Sequence, residues 1–238
     1  MGHVLLGRVT QEDIRAYRLW LERKTTLGPT SVWHVLSDCR CLLNWSESAG
    51  LIDRSPFPRR VMPRLQERPP DRLTEAEVEA ILAIPEPYAF ICRLGLGTGL
   101  RWGELCRASS SDLEVARTES GEQQGVLVVH HTKSRKVRRV PLTRALWGEL
   151  RLRVGRFMPL IDGWSFADKV GRLSGVERFH AHQMRHTFAC GWIEAGGSLA
   201  ALQEMLGHSS IVTTQRYGRL SSDMVRREAE RVFASAKP

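Results

Sequence analysis

Apolar residues recur at helical spacing over two stretches near the start of the chain. Residues 11–24 and 30–46 both read as amphipathic helices, and in the second Val32, Val35, Leu36, Cys39, Leu42 and Leu43 fall on one face. Gly50, then Ser55-Pro56 and Pro58, end this region, since glycine and proline interrupt regular backbone. Residues 63–72 are polar, basic and proline-rich, a composition that suits an interdomain linker. A new helix then starts abruptly. Thr74 and Glu77 have capping-box spacing, and Leu73 and Val78 have the spacing of a hydrophobic staple. So strong a start signal directly behind a proline-rich stretch predicts a domain boundary near residue 70, giving domains 1–70 and 71–238.

Helical spacing continues to residue 107, and then the period changes. Residues 125–130 and 137–142 read as two strands joined by a polar turn over 131–136 that holds Lys133 and Lys136. Pro141 cannot donate to a strand ladder, so it favours an edge position at the end of the second strand. Beyond residue 143 the pattern returns to helices and loops. The expected fold is therefore mainly α with a small antiparallel β-sheet, divided into a helical N-terminal domain and a larger second domain.

Composition narrows the chemistry. A hydrophobic fraction of 42% in 238 residues allows a real core. No stretch of the sequence reads as a membrane span or a secretion signal, so a cytoplasmic protein is expected. Five scattered cysteines without a Cys-x-x-Cys pair point to reduced thiols rather than a disulfide framework or a cysteine-based zinc site. Net charge is +9, which suits a polyanionic partner because lysine and arginine displace counterions from nucleic acid. Thirty of the 35 basic residues are arginine and only five are lysine. A lysine in this chain is therefore a choice that invites explanation.

Three segments could carry chemistry. In His182-Gln-Met-Arg185-His186, the two histidines and the arginine share a helix face at i, i+3 and i+4. Met184, Phe188, Trp192 and Ala195 lie on the opposite arc, the natural core side. Cationic and proton-carrying groups near a helix N-terminus favour an anion. The His-x-x-x-His spacing also invites zinc, but the zincin pattern needs Glu after the first histidine and this chain has Gln183, with His180 adding a third nitrogen by composition only. Upstream, Thr98-Gly-Leu-Arg101-Trp-Gly-Glu104-Leu is a glycine-punctuated turn entering a short helix, where Glu104 could orient a neighbouring guanidinium. Near the end, His208 stands nine residues before Tyr217, behind a Gly207 that suits the cap of a helix carrying Leu199, Leu202 and Leu206. Each segment by itself is compatible with structure alone.

Taken together, Thr98-Gly-Leu-Arg-x-x-Glu-Leu105, the Thr132-Lys hairpin ending in Arg138-x-Val-Pro-Leu142, His182-x-x-Arg-His-Thr-Phe-Ala189 and Leu206-Gly-His-Ser-Ser…Thr214-x-x-Tyr217 resemble the signature boxes of the tyrosine site-specific recombinases, the phage integrase family. The boxes occur in the family's order and span roughly residues 73–220.

The resemblance implies strand cleavage by attack of Tyr217 on a DNA phosphate, without metal, ATP or other cofactor. It assigns Arg101 and Arg185 to the non-bridging phosphate oxygens, which a guanidinium fork can bind in pairs. It gives His208 a further hydrogen bond to the same phosphate, and His182 a part in proton transfer at Tyr217 or in orienting the phosphate. Lys133, rather than Lys136, falls at the general-acid position of the hairpin, a role for which arginine is too weak an acid. His186 is expected to be a structural partner. The resemblance further implies double-stranded DNA as partner and a short or incomplete core-binding domain at the N-terminus. It also implies a homotetramer on DNA, joined through a C-terminal helix carrying Val225, Ala229, Val232 and Phe233, and an accessory DNA-bending protein. Two other readings stay open on the sequence: a type IB topoisomerase, and a DNA-binding protein that keeps the fold without activity.

Overall fold

The computed structural model describes residues 5–66, 69–117, 121–130, 137–159, 161–218 and 230. The chain divides into two compact units, Met1–Arg68 and Pro69–Pro238.

The first unit is built on α1 (Gln11–Lys24) and α2 (Pro29–Ser48). Thr10 opens α1 with a reciprocal cap, its hydroxyl accepting from the Asp13 N–H while its own N–H donates to the Asp13 carboxylate at 2.8 Å. Pro29 opens α2, where its missing N–H would have had no helical partner. Ile14, Leu43 and Val61 form one apolar cluster, and Leu21, Val32 and Leu36 form another. Arg18 donates to the Val61 carbonyl at 3.0 Å, tying the segment beyond α2 back onto α1.

The second unit runs α3 (Glu75–Leu82), α4 (Tyr88–Thr98), α5 (Trp102–Leu105), β1 (Leu113–Arg117), β2 (Gln123–Val129), β3 (Arg138–Pro141), α6 (Arg144–Leu150), α7 (Gly163–Ser174), α8 (Ala181–Glu194), α9 (Leu199–Leu206) and α10 (Ile211–Gln215). The capping box at Thr74 and Glu77 forms, with Leu73 buried and Val78 packed on the same core. The Leu73 N–H donates to the Thr187 hydroxyl of α8 at 2.9 Å, so the start of this unit is pinned to the helix that carries Arg185. Phe90 and Leu94 of α4, Phe166 and Val170 of α7 and Met184 of α8 meet Leu127 and Val140 from the sheet in one core.

The sheet has three strands rather than the two expected, in the order β1-β2-β3 and antiparallel throughout. Strand β1 escapes sequence pattern for a physical reason: Leu113 is half-buried and the next four residues are exposed, so there is no apolar alternation to read. Pro141 lies in an edge strand, opposite Val126. In β3, Arg138 and Val140 point inward while Arg139 and Pro141 point out.

Helix α8 also departs from expectation. Its buried positions are Gln183, Met184, Arg185, His186, Ala189 and Ile193, whereas Phe188 and Trp192 are only partly covered. The cause is a second apolar cluster, formed by Ala189, Ile193, Leu202, Met205, Leu206 and Tyr217. With a core on each side, α8 buries the very face that holds its arginine and second histidine.

Candidate active site

Two glycines aim the site. Gly99 ends α4 and Gly207 ends α9, each in the left-handed conformation at φ 62° and 65°, where a side chain is strained. Each turns the chain just ahead of a candidate site residue, Arg101 in one case and His208 in the other. A Cβ on Gly99 would also lie 2.4 Å from Phe188, so space as well as conformation requires glycine there. These caps leave carbonyls at helix C-termini without helical donors, and arginines supply them, as the negative end of a helix favours. Arg101 donates to the Gly207 carbonyl at 3.2 Å, and Arg185 donates to the Gly99 carbonyl at 2.8 Å and the Leu206 carbonyl at 2.9 Å.

Glu104 is the hub between them. Its carboxylate accepts from the Arg101 backbone N–H at 2.8 Å and the Arg101 guanidinium at 3.1 Å. The same two oxygens accept a bidentate pair from Arg138 at 2.9 and 2.7 Å. Burial pushes the Glu104 carboxyl up, but the Arg138 hydrogen bonds, the Arg101 N–H and both positive charges outweigh it, holding it below its ordinary value. Two guanidiniums, those of Arg101 and Arg138, thus meet one carboxylate, and with Arg185 within reach of their charges the region carries a surplus of positive charge.

Arg185 is 1% exposed. Burial, then the charge of Arg101, lowers it to about 10, so it remains protonated at neutral pH. It also donates to Nε2 of His208 at 2.8 Å. Because a guanidinium only donates, that contact assigns the His208 proton to Nδ1, which donates to the Thr214 hydroxyl at 2.8 Å. Burial and the surrounding arginines, Arg185 foremost, bring His208 down to about 4.

Tyr217 lies buried in the second cluster, with its hydroxyl 2.7 Å from Nδ1 of His186. His186, expected only as a structural partner, is the side chain that touches the phenol. Burial, then the neighbouring His182, lowers His186 to about 4, so it is neutral and able to accept the phenol proton. Burial raises Tyr217, against the pull of Arg185 and Arg216. His182 is exposed and its ring packs edge-on against His186, with centroids 4.5 Å apart. His180 turns elsewhere, to the Asp71 carboxylate at 3.0 Å, so it does not join the other two histidines. Arg101, Arg185, His208 and Glu104 are therefore in one bonded network, and His182, His186 and Tyr217 form a second group joined to it through α8. Lys133, Lys136 and the tail positions Val225, Ala229, Val232 and Phe233 lie outside the described residues.

The two depressed histidines give stability a pH dependence. An unfolded chain binds protons at His186 and His208 below about pH 6.5, whereas the folded chain resists them until about pH 4. Stability conferred by neutral imidazoles is full above the unfolded value and is lost as pH falls through this window. Chemical unfolding at about pH 5.5 is expected to show roughly 1 kcal/mol less stability from His186 than at pH 7.5. His186→Asn should flatten that part of the profile, and an unchanged slope would contradict the assignment.

A family model described as the phage integrase family matches residues 161–224. The tyrosine recombinase XerC of Bacillus pumilus is 30% identical, the match covering 92% of this chain and 79% of the relative. XerC of Yersinia pestis is 32% identical over 83% of this chain and 71% of its own length. The chain belongs to the tyrosine recombinase family. Tyrosine recombinases break and rejoin DNA at specific sites through a phosphotyrosine link, and the chain is an enzyme of that class. It is also similar to the tyrosine recombinase XerA of Thermococcus kodakarensis, 29% identical over 71% of the chain, of whose length it spans 65%. Among solved structures, the catalytic domain of the bacteriophage HP1 integrase is 27% identical, with TM-score 0.54 over 67% of this chain and 93% of that one. The Tn1549 transposon integrase bound to transposon right-end DNA shares the fold, with TM-score 0.73, 19% identity and coverage of 97% of this chain and 88% of that one.

Proposed function

We propose that this tyrosine recombinase cleaves each strand of a duplex DNA site through Tyr217, with Arg101, Arg185 and His208 on the scissile phosphate. The observation that carries the reading is the gathering of three guanidiniums and one carboxylate beside a buried phenol. A surplus of fixed positive charge is what a five-coordinate phosphorus with extra negative charge requires when no metal supplies it. The Tyr217 oxygen attacks phosphorus and its proton passes to His186, with His182 at the solvent side as the next acceptor. The bond from phosphorus to the 5′ oxygen breaks, and Lys133 protonates that oxygen. A 3′-phosphotyrosine link results, and a free 5′-hydroxyl reverses the steps to reseal the strand without ATP. Before DNA arrives, Arg185 donates to Nε2 of His208; phosphate binding replaces that contact with two contacts to the ligand, the imidazole proton moving to Nε2 and the Thr214 hydroxyl turning to donate to Nδ1.

The reading extends to the assembly. The unit Met1–Arg68 serves as a core-binding domain on duplex DNA, and the tail beyond residue 218 docks on a neighbouring copy within a homotetramer. The spacing of Val225, Ala229, Val232 and Phe233 supports such a tail helix. An accessory DNA-bending protein completes the proposal.

The test begins with a site, recovered by enriching random-sequence duplexes on the full chain. A nicked version of that site traps the covalent intermediate, because the short 5′ fragment diffuses away. An adduct together with exchange between two sites is expected. Adduct without exchange would favour a topoisomerase, and binding with no adduct would leave a DNA-binding protein.

A further inference from the structure

We infer that Arg138 is a positioning residue for the cleavage reaction, holding the phosphate-binding groups of two separate segments in register. This rests on the proposed roles of Arg101 and His208. Arg138 stands at an inward position of β3, where strand alternation would place an apolar side chain like that of Val140, and it is 5% exposed. An arginine is rarely buried unless its donors are matched. Here Nη1 and Nη2 grip the Glu104 carboxylate at 2.9 and 2.7 Å while Nε donates to the Met205 carbonyl at 2.6 Å.

Those partners belong to different parts of the site. Glu104 fixes Arg101 by its backbone N–H and its guanidinium. Met205 lies in the last turn of α9, which ends in Gly207 and delivers His208. Arg138 also lies against the cap itself: a Cβ on Gly207 would stand 3.1 Å from its Cδ and Nη1. Gly207 is therefore glycine partly to admit this side chain. The loop closes because Arg101 donates to the Gly207 carbonyl. One guanidinium thus spans the α5 start and the α9 end, setting the distance between Arg101 and His208. It does not touch the phosphate in this arrangement; it acts through Glu104 and the α9 terminus. Lysine cannot replace it, since a single ammonium lacks the planar fork that reaches both partners.

The test is single-turnover cleavage of the nicked site at saturating DNA by the full chain, its Arg138→Lys and Arg138→Met variants, and Tyr217→Phe as the blank. Rate constant and active fraction are read separately. Misplacement of groups by about an ångström costs roughly 10²-fold in rate, so both variants are expected to lose about that factor in rate constant, with DNA affinity and active fraction retained. Arg138→Met leaves Glu104 short of a partner and could fail to fold; Arg138→Lys keeps the charge and carries the test in that event. A second substrate with sulfur at the 5′ bridging position makes the leaving group independent of proton donation. The same loss is expected on it, because the defect lies at the phosphate. A rate constant equal to the parent's, or a fall in active fraction alone, would overturn the inference. So would full recovery on the sulfur substrate, which would place Arg138 in service of the proton donor. If the parent forms no adduct at all, the proposed function fails first and this inference with it.

Discussion

Replacing Tyr217 with phenylalanine is expected to abolish covalent DNA adducts while leaving folding and DNA affinity near those of the parent. The phenol lies in a cluster with Ala189, Ile193, Leu202, Met205 and Leu206, and phenylalanine keeps all of that apolar contact. What disappears is the oxygen and its 2.7 Å contact with His186. His186 is buried and loses one neutral hydrogen bond, a cost of about 1–3 kcal/mol that falls on stability and not on DNA contacts. Within the second unit the other tyrosine, Tyr88, packs its ring on Phe166 with centroids 6.2 Å apart. Gel separation of denatured protein from labelled nicked DNA, with melting temperature alongside, checks the result. Adducts that persist in this variant would require another nucleophile.

Arg185→Lys carries the second large effect. A lysine keeps one positive charge but cannot meet the Gly99 carbonyl, the Leu206 carbonyl and a phosphate oxygen in one plane. Loss of a fixed donor to developing charge costs on the order of 10²–10³ in rate, and that fall in the cleavage rate constant is expected here. The charge argument has its own check. A substrate whose scissile phosphate is a neutral methylphosphonate lacks one of the oxygens that Arg185 would bind. On it the gap between parent and variant should shrink, since less negative charge awaits neutralisation. A gap of unchanged size would mean that Arg185 acts by holding the backbone and not by meeting the phosphate. Arg185→Ala is less informative, because it empties a buried volume and leaves two carbonyls unsatisfied, each worth about 1–3 kcal/mol.

Much of this was legible in the chain, and the exceptions share a cause. The capping box at Thr74 and the helices α1 and α2 declare themselves because local rules decide them. The cap at Gly207 and the glycine turn ahead of Arg101 are readable for the same reason, and so is the sharing of one helix face by Arg185 and His186. Strand β1 was missed because its residues are mostly exposed and carry no alternation. The depth of Arg185 was missed because periodicity assigns a helix one core side, whereas α8 is covered on two. His186 reads from the sequence only as a structural partner, because its contact with Tyr217 spans 31 positions, a separation no local pattern reports. Arg138 left a trace that could have been followed: an arginine at an inward strand position, two residues before a buried valine. Its partners, 34 and 67 positions away, emerge only on folding. Local physics thus fixed the elements and the turns, and long-range packing chose which charged groups face one another.

The most direct measurement is a crystal structure of Tyr217→Phe bound to its duplex site. The account predicts both guanidiniums of Arg101 and Arg185 and an imidazole nitrogen of His208 at about 2.7–3.1 Å from the non-bridging oxygens of one phosphate, with the phenyl ring edge facing its phosphorus. Arg185 still bonded to His208, with the phosphate bound outside this network, would contradict it.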